Sequence, residues 1–486
     1  MIAVMCNIDN FQYDIHSLIK AFYPAEDIRI SVQNDKELLS DQGLPEFFLC
    51  MEENRITFRI ISAQTVIQEK KSEWSESCTR KEYKNHLKKL IYTSISEFKN
   101  ETLPWGSLTG IRPTKIAYQM LEEQKTDLEI EDYMLSTYDV SEEKCRLSID
   151  IAKRERKIVS VIHYEKGYSL YIGIPFCPTT CLYCSFTSFP ISVYKQKVKR
   201  YLDALKKEIL FVKEAFKDKI LDSIYIGGGT PTTLEPEEIR ELLSFIHEQL
   251  DTSHILEFTV EAGRADSITK EKLMVLKEYG VSRISINPQT MKDETLKLIG
   301  RRHSVEQVKE SFYLARSLSF DNINMDLILG LPNEAKEDVY KTMQEIRKLD
   351  PDSLTVHSLA IKRASRLNQW IEENGISCIH NTQEIMNMTM QMATQQKLFP
   401  YYLYRQKNMS GNLENVGYAK EGKYGIYNIL IMEEKESIVA LGAGTVSKNV
   451  MGEGRIERCD TVKDVDLYME QIDEMIARKE KLFSLQ

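Results

Sequence analysis

Two periodicities alternate along this chain. Between Tyr168 and about Leu359, short β-rich runs are each followed by an amphipathic, helix-length stretch. The runs are SLYIGI, SIYIGG, EFTVEA, RISINPQ, INMDLILG and SLTVHSL; between them lie segments such as VKRYLDALKKEILFVKEAF and EEIRELLSFIHEQL. A compact apolar run reads as a buried strand, and apolar residues at helical spacing read as the helix that covers it. Strand and helix in alternation predict parallel βα units with right-handed crossovers. Six such units fit an open doubly wound sheet or a partial barrel equally well. In either, chemistry belongs at the carboxyl ends of the strands.

The flanks read differently. Residues 1 to about 160 alternate strands such as FFLCM and RITFRII with charged helical stretches. One helix is expected from Arg80 to Lys99, with Tyr83, Leu87, Leu90, Ile91 and Ile95 on its apolar side. The segment LPWGSLTGIRPTK, rich in Pro, Gly and Thr, reads as an ordered turn leading into a helix, with Trp105 as a packing anchor. The stretch SEEKCRLSIDIAKRERK then leads to a boundary near Tyr164 to Gly167. From about residue 370 come a long helix, strands around LYRQKN, GIYNILIM and SIVALGAG, and a charged terminal helix. The expected organisation is an N-terminal α+β domain over residues 1–164, a central α/β domain over 165–368, and a small α+β domain over 369–486.

Composition narrows the function classes. With 42% hydrophobic and 28% charged residues, the 486-residue chain reads as an ordinary soluble globular protein of several domains. A net charge of -9 weighs against a phosphate-backbone partner, so no nucleic acid is expected. No apolar stretch reaches the ~18 residues needed to span a bilayer, and the start MIAVMCNIDNFQYD lacks the basic region of a secretory signal. A cytoplasmic monomer is the expectation. Of nine cysteines, Cys6, Cys50, Cys78, Cys145, Cys378 and Cys459 are scattered singly, as small buried apolar residues are. The other three fall within eight residues.

Those three sit in YIGIPFCPTTCLYCSF as Cys177-x3-Cys181-x2-Cys184. Three thiolates are one short of a closed structural zinc or ordinary iron–sulfur site, unless a distant His357 or Cys378 supplies the fourth. A missing ligand leaves one metal vertex open to chelate a cofactor directly. The triad follows a strand at once, and Pro175 and Pro178 stiffen its loop. One βα unit later comes IGGGTPT, with Gly227, Gly228 and Gly229, where backbone can approach a ligand closely and offer N–H groups.

With this spacing, and with Tyr183 before the last cysteine, the sequence resembles the radical S-adenosylmethionine (SAM) superfamily. The resemblance implies a partial (β/α)6 barrel and a [4Fe–4S] cluster bound by Cys177, Cys181 and Cys184, with SAM on the fourth iron. It further implies reductive cleavage of SAM to a 5′-deoxyadenosyl radical that abstracts hydrogen from the substrate. The segments FTVEAG, ISINPQT, LIGRRHS, NMDLILGLP and LTVHSLAIK, in order over about 190 residues with the two motifs above, resemble the oxygen-independent coproporphyrinogen III oxidase group. The extra N-terminal part resembles its longer coproporphyrinogen dehydrogenase branch.

Carried over by position, Tyr171 (the catalytic candidate), Tyr183, Gly228 and Glu261 would contact the cluster-bound SAM. Gly229, Thr230, Gln289, Arg301, Asp326 and Ala360 match positions around a second SAM. The implied reaction turns two propionates of coproporphyrinogen III into vinyl groups, with an electron donor of flavodoxin or ferredoxin type. A four-carboxylate tetrapyrrole calls for cations, for which Arg301, Arg302, Arg363, Arg366 and Arg405 are candidates. Two departures bear on this. Phe186 stands where characterised oxidases have a further cysteine. The related haem chaperones carry His-Asn-x-x-Tyr-Trp, where this chain reads Glu414-Asn415-Val416-Gly417-Tyr418-Ala419. The alternative to the enzyme is therefore a haem- or tetrapyrrole-binding delivery protein that keeps the cluster.

Overall fold

A computed structural model describes residues 1–32, 39–75, 77–362, 365–406 and 413–484. They divide into two compact units, one of residues 1–153 with 403–414 and one of residues 154–402 with 415–486.

The first unit is built on a five-stranded sheet: β1 (Ile2–Cys6), β2 (Ile28–Val32), β3 (Glu46–Met51), β4 (Arg55–Ser62) and β5 (Thr65–Glu73). Its order is β2-β1-β3-β4-β5, parallel among the first three and antiparallel thereafter. The helices Gln12–Phe22 and Arg80–Lys99 cover it with Ile15, Leu18, Leu87, Ile91 and Ile95, all fully buried against Phe47, Leu49, Phe58 and Ile60. The second helix has the bounds expected from its apolar spacing, because a capping box of Thr79 and Glu82 fixes its start and Asn100, at φ 51°, ends it.

Residues 403–414, expected within a C-terminal domain, fold instead with this unit. Glu414 is wholly buried, pairs with Lys144 and accepts a hydrogen bond from Trp105 Nε1 at 2.7 Å. Arg405 donates through its guanidinium to Leu108 O at 2.7 Å and through its backbone to Ile111 O at 2.8 Å. Buried charges need such partners, and the partners lie in the first 153 residues.

The second unit carries the chemistry-bearing strands: β6 (Gly167–Ile174), the short pair β7 (Phe176–Cys177) and β8 (Phe189–Pro190), β9 (Ile220–Gly228), β10 (Glu257–Glu261), β11 (Arg283–Ser285), β12 (Ile323–Leu329), β13 (Ser353–Ser358), β14 (Phe399–Tyr404), β15 (Asn415–Ala419), β16 (Ser437–Leu441), β17 (Val446–Val450) and β18 (Ile456–Asp460). The six runs read from the sequence are β6 and β9 to β13, parallel and in sequential order. Helices between them, such as Val198–Ala215 and Pro236–Gln249, bury one apolar face each.

Residues after 369, expected as a separate domain, do not make a sheet of their own. β15 adds antiparallel to β13, with β14 beyond it, and β16 adds parallel to β6, with β17 and β18 beyond. An exposed edge of a parallel sheet is a row of unpaired backbone groups, and these strands cover both edges. The terminal helix Ile472–Phe483 is tied in by Lys479, which pairs at 2.6 Å with the buried Glu208 of helix Val198–Ala215. No helix among the described residues is long and apolar enough to cross a membrane.

Glu414→Gln leaves Lys144 charged and buried without its counter-ion. The variant is expected to lose about 3–5 kcal/mol in urea unfolding, followed through Trp105 fluorescence; Lys144→Met/Glu414→Leu should recover most of it.

Candidate functional site

The cysteine loop leaves the carboxyl end of β6 and is pinned on three sides. On one side, the N–H groups of Gly229 and Thr230 donate to Ile174 O at 2.8 Å and Phe176 O at 2.7 Å. A Cβ at Gly229 would sit 2.6 Å from Phe176 O, and Gly228 has φ +105°, so neither position has room or conformation for a side chain. The glycine run thus brings backbone against backbone. Of the N–H groups the sequence suggests for a ligand, those of residues 229 and 230 hold the loop. On the second side, Leu182 N–H donates to Ile299 O at 3.0 Å and the Thr179 hydroxyl to Gly300 O at 2.7 Å. On the third, Arg264 Nη1 donates to Thr179 O at 3.0 Å and Thr179 Oγ1 at 2.8 Å.

Cys177, Cys181 and Cys184 are free thiols whose environments differ. Cys177 Sγ lies 3.4 Å from Thr230 Oγ1, and burial pushes its thiol up to about 11. Cys184 meets the Phe186 N–H and the Ser188 hydroxyl. Cys181 faces two guanidiniums, Arg264 at 3.9 Å and Arg301. The three sulfurs are close enough to feel one another's charge. They are not drawn onto one point: among the described residues, no three His, Cys, Asp or Glu side chains form a ready site for a metal ion. A cubic cluster takes one thiolate per iron and needs the sulfurs spread around it, so this donor set suits a cluster with an open vertex. The two distant candidates for a fourth ligand face elsewhere. Cys378 donates to Asn374 O at 3.4 Å, and His357 Nε2 lies 3.8 Å from Asp326 Oδ2.

Beside the loop, the strand ends present a polar interior. Tyr171 of β6 stacks on Tyr225 of β9 and on Tyr427, with centroids 6.0 Å apart in each case, and Tyr225 stacks on Tyr427 at 4.6 Å. The Tyr225 hydroxyl donates to Glu261 Oε1 at 2.6 Å. Burial pushes Glu261 up to about 7, and Asp326 adds to that; the Tyr225 hydrogen bond, Arg283 and His357 oppose it. Burial acts on Asp326 too, but His357 and an amide from Asn324 at 2.7 Å hold it below the usual carboxylate range. Glu261 on β10 therefore senses charges on β12 and β13.

Gln289 adopts φ 68°, with its N–H on Asp326 O at 2.9 Å and its carbonyl accepting from Ile328 at 3.0 Å. Its Oε1 is buried with no partner, as are Arg301 Nε and His303 Nε2. Each such atom costs about 1–3 kcal/mol unless something pairs with it.

Of the sequence-named residues, Tyr171 and Asp326 lie within β6 and β12, Gly228 and Glu261 end β9 and β10, Tyr183, Gly229, Thr230, Gln289 and Arg301 lie in the segments that follow strands, and Ala360 lies two residues beyond β13. Arg301 is buried and donates to Gly263 O at 3.1 Å, Asn287 O at 2.5 Å and Tyr183 OH at 3.3 Å. Arg366 donates to Thr180 O, and Arg302 is exposed. Arg363 lies outside the described residues. Arg405 belongs to the first unit and cannot be grouped with these cations. Phe186 is 75% exposed, so the loop's packing does not depend on it.

Sequence reasoning missed Tyr225 and Arg264. Tyr225 had a signal: SLYIGI and SIYIGG place a tyrosine at the same point, and the two residues are register partners. Arg264 had none, as one of 64 Lys and Arg in an unremarked turn.

Residues 171–346 match the family model of the radical SAM superfamily. The oxygen-independent coproporphyrinogen-III oxidase-like protein HemZ of Bacillus subtilis is 39% identical over 416 residues, 83% of this chain and 82% of that protein. The heme chaperone HemW of the same organism is 39% identical over 195 residues, 40% of this chain but only 51% of HemW. Among solved structures, Escherichia coli coproporphyrinogen III oxidase (HemN), a radical SAM enzyme, matches with a TM-score of 0.53 at 23% identity, covering 66% of this chain and 72% of that one. This last likeness is one of fold.

The site's dependence on the close backbone approach is testable. Gly229→Ala should leave the far-UV circular dichroism unchanged while the iron retained after reconstitution falls by more than half, measured by colorimetric iron analysis.

Proposed function

The chain belongs to the radical SAM superfamily and, within it, to the family of oxygen-independent coproporphyrinogen-III oxidase-like proteins, and from that premise we propose that it converts coproporphyrinogen III to protoporphyrinogen IX without oxygen. Each of two propionates becomes a vinyl group by losing carbon dioxide, one hydrogen atom and one electron. The observation that carries this reading is the loop of three free, unequal thiols facing an interior with unpaired buried polar atoms.

In this proposal Cys177, Cys181 and Cys184 hold the cluster and leave a vertex open. When bound, a [4Fe–4S] cluster with SAM supplies one-electron cleavage of the sulfonium and, through it, hydrogen-atom abstraction. Glu261, oriented by the Tyr225 hydroxyl, accepts hydrogen bonds from SAM's polar groups. Tyr171 forms an apolar wall with Tyr225 and Tyr427 that limits water at the reacting carbon. Gly228, packed against the end of β6, shapes the SAM-facing turn, and Tyr183 steadies Arg301. A second SAM would draw on Gly229, Thr230, Gln289, Arg301, Asp326 and Ala360, with Gln289 Oε1 and Arg301 Nε as its unpaired contacts. Arg302 and Arg366, both exposed, are the cations left to meet substrate carboxylates. The electron comes from a flavodoxin- or ferredoxin-type donor.

What weighs against a haem-delivery role is the position of the chaperones' haem-ligating histidine. Glu414 stands there, buried against Lys144 and Trp105, and its carboxylate has no access to an axial position.

Anaerobically reconstituted protein, given SAM, dithionite and coproporphyrinogen III, should form 5′-deoxyadenosine and protoporphyrinogen IX together, and neither with Cys181→Ala. Deoxyadenosine without the tetrapyrrole product would exclude this substrate, and stoichiometric haem binding without turnover would favour delivery. The carboxyl of Glu261, ordinarily near 4.5, keeps its proton to about 7. It is thus neutral below that and becomes a full acceptor as pH rises. SAM affinity, by equilibrium dialysis, should therefore increase between pH 6 and pH 8. In Glu261→Gln it should be flat with pH and weaker by roughly tenfold, the loss of one charge-assisted hydrogen bond.

A further inference from the structure

Arg264 is 3% exposed and every edge of its guanidinium is engaged. Nε and Nη2 form a fork onto Asp266, at 3.0 Å and 2.7 Å. Nη1 points the other way, to Thr179 and to Cys181 Sγ. Asp266 is itself braced by His303 Nδ1 at 3.5 Å, and His303 adjoins Ser304, whose capping box starts helix Val305–Ser317. A bidentate fork with its carboxylate fixed from behind cannot rotate, so the positive charge is held at one place beside one sulfur. Cys177 has the Thr230 hydroxyl and Cys184 the Phe186 N–H and the Ser188 hydroxyl as hydrogen-bond partners, while Arg264 and Arg301 act on them by charge alone. Arg301, the second guanidinium at Cys181, is likewise anchored by two carbonyls, Gly263 O and Asn287 O.

We propose that Arg264, locked by Asp266 and His303, is a positioning residue that acts through Cys181 to raise the reduction potential of the cluster. It rests on the reading that the three thiolates hold a [4Fe–4S] cluster. One-electron reduction by a low-potential donor adds one negative charge to the cluster and moves no atom. A fixed cation and an N–H donor at a ligating sulfur stabilise the reduced form more than the oxidised form, so reduction becomes easier. Placing the cation on one sulfur also makes the three irons electrostatically unequal. Asp266 opposes part of the effect, because its charge sits one guanidinium away.

The test is a redox titration followed by electron paramagnetic resonance on reconstituted wild type, Arg264→Gln, Arg264→Lys and Asp266→Asn, with iron and sulfide content measured on each. Arg264→Gln should keep its iron and shift the midpoint to more negative potential. Arg264→Lys, which retains the charge but not the fork, should restore part of that shift. Asp266→Asn, which keeps an acceptor for the fork but removes the counter-charge, should shift the midpoint in the positive direction. Full iron content in Arg264→Gln with an unchanged midpoint would overturn the proposal. If that variant does not hold iron, Asp266→Asn decides, and an unchanged midpoint there overturns it equally. A wild type that takes up no iron and sulfide would overturn the cluster reading, and this inference with it.

Discussion

Everything at this site depends on two peptide chains approaching more closely than side chains allow. The loop that carries the cysteines is laid directly on the end of β9, carbonyl to N–H, at Ile174–Gly229 and Phe176–Thr230. That contact sets the height of Cys177 above the sheet and leaves Thr230's hydroxyl beside its sulfur. Because a loop gains little from burial, it needs bonds of this kind to stay in one conformation. The further ties from Ile299, Gly300 and Arg264 come from the ends of other βα units, so the loop is referenced to the sheet at several points.

The second determinant is how charge is arranged across the strand ends. Two carboxylates, Glu261 and Asp326, share one interior and are driven apart in proton affinity by their neighbours. Glu261 has a phenol as its hydrogen-bond donor, whereas Asp326 has the Asn324 amide and, 3.8 Å away, the His357 imidazole. Two guanidiniums, of Arg264 and Arg301, meet Cys181 in the loop. The carboxylates thus sit on β10 and β12, and the guanidiniums at the cysteine loop.

How much of this was legible follows from where the determinants lie in the chain. The six parallel strands could be read because each strand and its covering helix are close neighbours in the chain, and the helix Arg80–Lys99 because its cap and its apolar stripe are local. The cysteine spacing, too, is local. By contrast, β16 pairs with β6 although Tyr168 and its partner Ser437 are 269 positions apart, and no short pattern encodes such a pairing. The same is true of Arg264 and Arg405. An arginine's surroundings decide whether it braces a loop, pairs with a carboxylate or faces water, and those surroundings are assembled from distant segments. The error over residues 403–414 has this origin, since a strand-like composition says nothing of the buried Lys144 that requires Glu414.

That pairing also sets an order of events at the ribosome. Lys144 and Glu414 are 270 residues apart, so at about 5–20 residues per second roughly 14–54 s of synthesis pass between them. During that interval the first unit has been made except for its last segment, and it holds a cation awaiting its neutralising partner. The whole succession of βα units emerges meanwhile, and β6 waits about as long for β16. The first unit closes only after residues 154–402 of the second have been translated, and the second closes only when β16 to β18 follow, so both stay open through most of synthesis.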